Sequence, residues 1–103
     1  LPVLSGIVKK KVLSALGLDA CIFAAGGAAP MPPDLLRWYS RLGLNIAEGY
    51  GMTENLGCTH LSLGDPADFG TVGRPYDGVQ CRIDPANGEI QTTSRGTMRG
   101  YFK

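Results

Sequence analysis

The sequence predicts an α/β fold, a parallel strand-helix-strand unit followed by a β-hairpin region. Three observations carry that reading. Apolar runs alternate with helical periodicity in the first half, glycines and prolines punctuate each change, and from Cys58 onward the rhythm becomes that of strands. The 103 residues suffice for one small domain, whose folding buries roughly two thirds of the surface of the unfolded chain.

Each element follows from its residues. In "SGIVKKKVLSALGL" Ile7, Val8, Val12, Ala15 and Leu16 recur at helical spacing and Gly17 stands where a helix ends, so a short amphipathic helix is expected. "ACIFAA", residues 20–25, is a continuous apolar run before two glycines, the pattern of a strand covered on both faces. "PPDLLRWYSRLG" opens on prolines, puts Asp34 in the first turn, lines Leu35, Leu36, Tyr39 and Leu42 along one face and stops at Gly43, which predicts a second helix. "LNIAEGYG" resumes as a strand, so residues 20–51 form a unit whose two strands run parallel with a right-handed crossover. "VQCRI", "DPANG" and "EIQTT" then read as strand, turn and return strand, with Val79, Cys81 and Ile83 on one buried face. The glycine- and proline-rich stretch 64–78 divides an α/β part, 1–63, from a linker and hairpin part, 64–103, within a single partial domain.

Composition narrows the partners. A hydrophobic fraction of 44%, a charged fraction of 18% and a net charge of +1 belong to a globular protein with no electrostatic footprint for nucleic acid. No apolar run approaches the about 18 residues of a membrane span. Cys21, Cys58 and Cys81 are odd in number and widely spaced, with only His60 to help bind a metal, which fits reduced thiols in a cytoplasmic protein. The chain starts at Leu1 rather than methionine and stops at Lys103 without a closing turn, and it reads as a piece of something longer.

Two loops follow the two parallel strands, "GGAAPMPP" and "GYGMTENLG". Both are expected at the carboxyl edge of one sheet, where open α/β sheets bind ligands. Glycines there let backbone approach a flat ring or a phosphate; Tyr50 offers an aromatic face, Thr53 a hydroxyl and Glu54 a hard oxygen ligand suited to Mg²⁺. The plainer readings stand beside these. Glycine loops after strands are common, and Tyr50 serves equally as a packed aromatic. His60 has no second ligand or nucleophile near it in sequence and reads as structural. Trp38 and Tyr39 read as packing, Lys9, Lys10 and Lys11 as a solvated helix face, and Cys58 as a small apolar residue.

"GYGMTE", then "GTVGRP", then "NGEIQTTSRGTMRGYFK" resemble the AMP-forming acyl-CoA synthetases of the adenylate-forming superfamily, and "GGAAPMPPDLL" is similar to that family's adenine loop and following helix. The resemblance spans Leu1 to Lys103, with four motifs in order; "LPVLSGIVKKKVLSALGL" and "EGYGMTEN" look most like the long-chain fatty-acyl members. It implies a ligase using ATP, Mg²⁺ and CoA on a fatty acid: a carboxylate attacks the α-phosphate to give an acyl-adenylate and pyrophosphate, and the CoA thiol displaces AMP. Carried over residue by residue, Tyr50 stacks on adenine, Thr53 contacts a phosphate oxygen and Glu54 holds the Mg²⁺ that bridges the phosphates. Gly27, Ala28 and Ala29 lie along the purine edge, and Gly51 and Met52 lie near the acyl pocket.

Three parts of the family's pattern are missing: the Ser/Thr/Gly-rich phosphate loop ending in lysine, the "TGD" aspartate for the ribose hydroxyls, and the small C-terminal domain with the catalytic lysine. The resemblance therefore implies a middle slice of the large N-terminal domain, inactive alone. The alternative is a stand-alone adenine-nucleotide binding module without catalysis. Apolar surface left uncovered on such a slice predicts self-association.

Overall fold

The computed structural model describes residues 2–103; Leu1, where the resemblance and the α/β part begin, lies outside the described residues. In chain order the elements are α1 (Pro2–Ala15), β1 (Ala24–Gly27), α2 (Pro33–Arg41), β2 (Ile46–Tyr50), β3 (His60–Leu61), β4 (Arg74–Pro75), β5 (Gln80–Ile83) and β6 (Ile90–Thr93). Single 3₁₀ turns at Thr53–Asn55 and Pro66–Asp68 complete them. Four strands form one sheet in the order β1-β2-β3-β4, while β5 and β6 form a separate hairpin. β1 and β2 are parallel, in the register Ala24↔Ile46 to Gly27↔Gly49, as the strand-helix-strand pattern requires. β3 and β4 then add antiparallel, with Tyr50↔His60 and His60↔Pro75 opposed. The stretch 64–78 thus contributes β4 to the first sheet.

The core is small and sits under α2. Leu36 is fully buried on that helix, against Leu44 and Ile46 at the start of β2, and Leu13, Leu18, Met31, Tyr39 and Phe69 pack around them. The α2 sequence explains its own limits. Pro33 needs no N–H at the first helical position, Asp34 takes the favourable N-terminal charge, and Gly43, at φ 95°, turns the chain in a conformation that a side chain would strain. Asp34 also pairs with Arg37 at 2.7 Å, an exposed contact worth little.

Three expectations are corrected. The first strand begins at Ala24, so only Ala24 and Ala25 of "ACIFAA" belong to it; Ile22 is 100% and Phe23 63% exposed. The parallel register with β2 starts at Ala24↔Ile46, and β1 is the sheet's outer strand, so residues 20–23 have no strand partner; Cys21 packs against the core cluster while Ile22 and Phe23 stay uncovered. The first helix forms as predicted, but none of its described residues is buried and Ile7 and Val8 face solvent; only Leu13 reaches the core cluster. The hairpin forms with the predicted turn, yet every residue of β5 is exposed, because no second layer lies over Cys81 and Ile83. The apolar residues left exposed in these three segments have no second layer over them among the described residues.

Candidate functional site

The loops after β1 and β2 come together where the parallel pair ends, around a cleft of about 410 Å³. Ala28, Ala29, Pro30 and Met31 form one wall, Glu48, Gly49, Tyr50 and Gly51 the floor, and Gly70, Thr71 and Val72 the third side. Ala28 takes a left-handed backbone, φ 66°, which costs a residue with a Cβ roughly 1–2 kcal/mol. That strain turns the chain sharply out of β1 and lays the backbone of 28–31 along the cleft. Among the described lining residues there is no lysine or arginine, so the cleft suits a neutral ring better than a phosphate.

A buried carboxylate fixes the wall to the floor. Glu48 is only 7% exposed, and its Oε1 accepts the Met31 backbone N–H at 3.0 Å, tying the first loop to β2 across 17 residues. Its own N–H donates to Ser62 Oγ at 2.8 Å, and its carbonyl accepts from the Ser62 N–H at 3.0 Å. A buried charge persists only where hydrogen bonds hold it, and Glu48 spends that bond on the geometry of the cleft.

Beyond Gly51 the chain enters the Thr53–Asn55 turn. Met52 is extended at φ −147°, and its N–H donates to Asn55 Oδ1 at 2.8 Å. Asn55 is buried, and its Nδ2 donates to Thr92 Oγ1 of β6 at 3.3 Å. The Glu54 carbonyl accepts the Met98 N–H at 2.8 Å. With backbone and Asn55 so occupied, Thr53 stands exposed and Glu54 half-buried on the outer side of the turn.

Tyr50 and His60 oppose each other across β2 and β3, with ring centroids 5.6 Å apart at 72°. His60 is buried, and its Nδ1 lies 2.9 Å from Thr59 Oγ1, which also reaches the Tyr50 carbonyl at 3.3 Å. The histidine therefore buttresses the tyrosine from behind, leaving the half-buried Tyr50 to line the cleft. Cys58 donates to the His60 carbonyl at 3.3 Å and lies 3.7 Å from the Tyr76 hydroxyl. That hydrogen bond raises the Tyr76 phenol above its ordinary 10.0, with smaller contributions from burial and the nearby thiolate charge.

Of the residues singled out from sequence, Ala28, Ala29, Tyr50 and Gly51 line the cleft. Gly27 closes β1 opposite Gly49, just inside the wall. Met52, Thr53 and Glu54 continue from the floor on the neighbouring turn and do not line the cleft. Sequence reasoning passed over Glu48 and Asn55. For Glu48 a signal existed, a lone charge inside the apolar run "LNIAEGYG"; for Asn55 there was none, because its partner lies 37 residues away.

The family described as AMP-binding enzyme matches residues 4–102. The chain belongs to that family. Its relatives include the long-chain-fatty-acid–CoA ligase ACSBG2 of Xenopus laevis, 35% identical over 100 residues, which are 93% of this chain and 14% of that protein. The long-chain-fatty-acid–CoA ligase FadD15 of Mycobacterium bovis is 35% identical over 97 residues, 94% of this chain and 16% of the relative. The N-terminal domain of FACL13 from Mycobacterium tuberculosis, solved with an inhibitor, superposes with a TM-score of 0.67 at 26% identity, over 89% of this chain and 26% of that one. The chain thus has the mixed α/β fold of an adenylate-forming N-terminal domain and spans about one seventh of the length of the ligases it matches.

Proposed function

We propose that this chain is the adenine-side segment of an ATP-dependent fatty-acid–CoA ligase, an enzyme that adenylates a carboxylate and then forms a thioester with CoA. The observation that carries the reading is the meeting of the 28–31 loop with Tyr50 and Gly51 around one cleft free of basic side chains among its described lining. A purine fits such a site by stacking and backbone hydrogen bonds rather than by charge. In this reading the Tyr50 ring stacks on adenine, the backbone of Gly27, Ala28 and Ala29 follows the purine edge, and Gly51 and Met52 border the acyl chain. The Thr53 hydroxyl donates to a phosphate oxygen.

Magnesium fits the turn as a shared ligand. Among the described residues no three metal-ligating side chains cluster, and no hydrogen-bond partner occupies the Glu54 carboxylate. That is the donor set of an ion held by one or two carboxylates together with substrate phosphates and water, and Glu54 is the residue that would hold it. Bound there, the ion would supply positive charge to neutralise what develops on a leaving pyrophosphate. The cleft itself supplies no cation for the phosphates, so the chain binds nucleotide without performing the chemistry.

Calorimetric titration with AMP and a carboxylate-dependent ATP–pyrophosphate exchange assay on the 103-residue chain test this. AMP binding that Tyr50→Ala weakens, with exchange at the blank level, is the expected result. Exchange above the blank contradicts a catalytically incomplete segment, and absence of AMP binding contradicts the adenine cleft. A stand-alone nucleotide-binding module gives the same binding result; flanking coding sequence that continues into a "TGD" motif separates the ligase from the module.

A further inference from the structure

The Thr53–Asn55 turn is joined to β6 of the hairpin by Asn55 Nδ2 to Thr92 Oγ1, and to the segment just after β6 by the Met98 N–H to the Glu54 carbonyl. Asn55 uses both ends of one buried amide: Oδ1 caps Met52 on the near side of the turn, and Nδ2 reaches β6 on the far side. A planar amide cannot shift one end without moving the other. We infer that Asn55 is a positioning residue that couples the β5–β6 hairpin to the turn carrying Thr53 and Glu54, so that the placement of the hairpin sets the aim of the phosphate- and metal-facing groups. The inference rests on the proposed role of that turn for its functional consequence, but its mechanical half stands on the two hydrogen bonds alone.

The chemistry favours this division. The adenine cleft is held by β1, β2 and the Glu48 latch, none of which involves the hairpin. The Thr53–Glu54 turn, by contrast, owes one of its two side-chain hydrogen bonds and one backbone hydrogen bond to residues 92 and 98. Loosening the hairpin therefore disturbs the end of the site that faces phosphate and metal and spares the end that faces the base.

Thr92→Val on the 103-residue chain removes the acceptor while keeping the shape, and Thr92→Ser restores it. Amide hydrogen exchange followed by NMR is expected to show protection of the Met52 N–H falling about three- to tenfold in the valine variant, the size of one net hydrogen bond. Protection returns in the serine variant and is unchanged at the Glu48 N–H, which is held by Ser62. Unaltered Met52 protection, or an equal loss at Glu48, overturns the coupling. In titrations, Thr92→Val is expected to weaken Mg²⁺–ATP about three- to tenfold and to leave AMP unaffected; equal effects on the two ligands overturn the functional consequence. If the unsubstituted chain binds neither ligand, the adenine-cleft reading fails, and the exchange arm alone decides the coupling.

Discussion

At Gly51 the chain passes close to itself: a Cβ there would press on the Gly57 carbonyl and lie 2.6 Å from the Cys58 Cα, both rigid backbone. Gly51→Ala is therefore expected to destabilise the chain by about 1–3 kcal/mol, the cost of overpacking, seen as a lower urea midpoint with an unchanged slope. Tyr50 and Glu54 separate by chemistry. Tyr50→Ala removes a stacking surface worth about 1–3 kcal/mol per base and should weaken AMP and ATP alike. Glu54→Gln keeps the size of the side chain but not its charge, and it should weaken Mg²⁺–ATP while sparing AMP. Titrations with and without Mg²⁺ check this, and equal effects of both variants with unaltered Mg²⁺ dependence contradict it. Tyr76 supplies a pH prediction. Its phenol is raised above 10.0 in the folded chain, chiefly by the Cys58 hydrogen bond, so the native state holds that proton more tightly than the unfolded state. Stability from this contact is complete below the unfolded value and is lost as pH rises through the folded one. A difference titration of phenolate absorbance against Tyr76→Phe should place Tyr76 above the ordinary range, and Cys58→Ala should return it there.

The elements act through one latch and one small helix. Glu48→Ala strands the Met31 N–H at the cleft wall, and the loss of a buried partner costs about 1–3 kcal/mol. Glu48→Gln keeps a carbonyl acceptor and should cost less. Exchange at the Met31 amide ranks the two variants, and the reverse order would mean that the wall is held otherwise. These elements also mark how far the sequence could be read. The parallel pair, α2 with its stop at Gly43, and the hairpin around "DPANG" were legible because each has a local cause, in periodicity, capping or turn chemistry. The meeting of "GGAAP" with "GYG" followed from topology alone, since parallel neighbours must put their carboxyl ends side by side. The register of β1 was not legible, because it is set by where α2 returns the chain, and no local pattern in "ACIFAA" distinguishes a paired residue from an unpaired one. Nor was Asn55, whose role exists only once β6 is folded against it. Exposure of the α1 and β5 apolar faces was likewise hidden, since a sequence states which face seeks cover and not whether cover is present.

The whole molecule is extended. Its radius of gyration is 17.4 Å, against about 13 Å for a compact chain of this length. Its accessible surface is 7958 Å², against about 5,600 Å² for a compact monomer of 10.9 kDa. Large apolar side chains contribute to the difference. Val3, Leu4, Ile7 and Val8 are each more than half exposed on α1, and Ile22 and Phe23 stand beside the open edge of β1. An excess of roughly 2,400 Å² on one chain is about three times the ~800 Å² that a standard protein–protein interface removes from each partner. Apolar patches beyond a few hundred Å² are rare on soluble monomers, and an outer strand offers unpaired backbone groups to a second copy. We therefore expect a dimer or larger assembly whose contact includes the β1 edge and the Ile22–Phe23 face, with the two cleft loops still side by side. Light scattering well above micromolar concentration should report at least twice the chain mass, and Phe23→Asp combined with Ile22→Asp should shift the population toward monomer. A monodisperse monomer with a radius of gyration near 13 Å by solution scattering would mean that the hairpin folds back over the sheet and supplies the missing cover itself. A monomer that keeps the extended radius would mean that these apolar faces tolerate water and need no second copy to cover them.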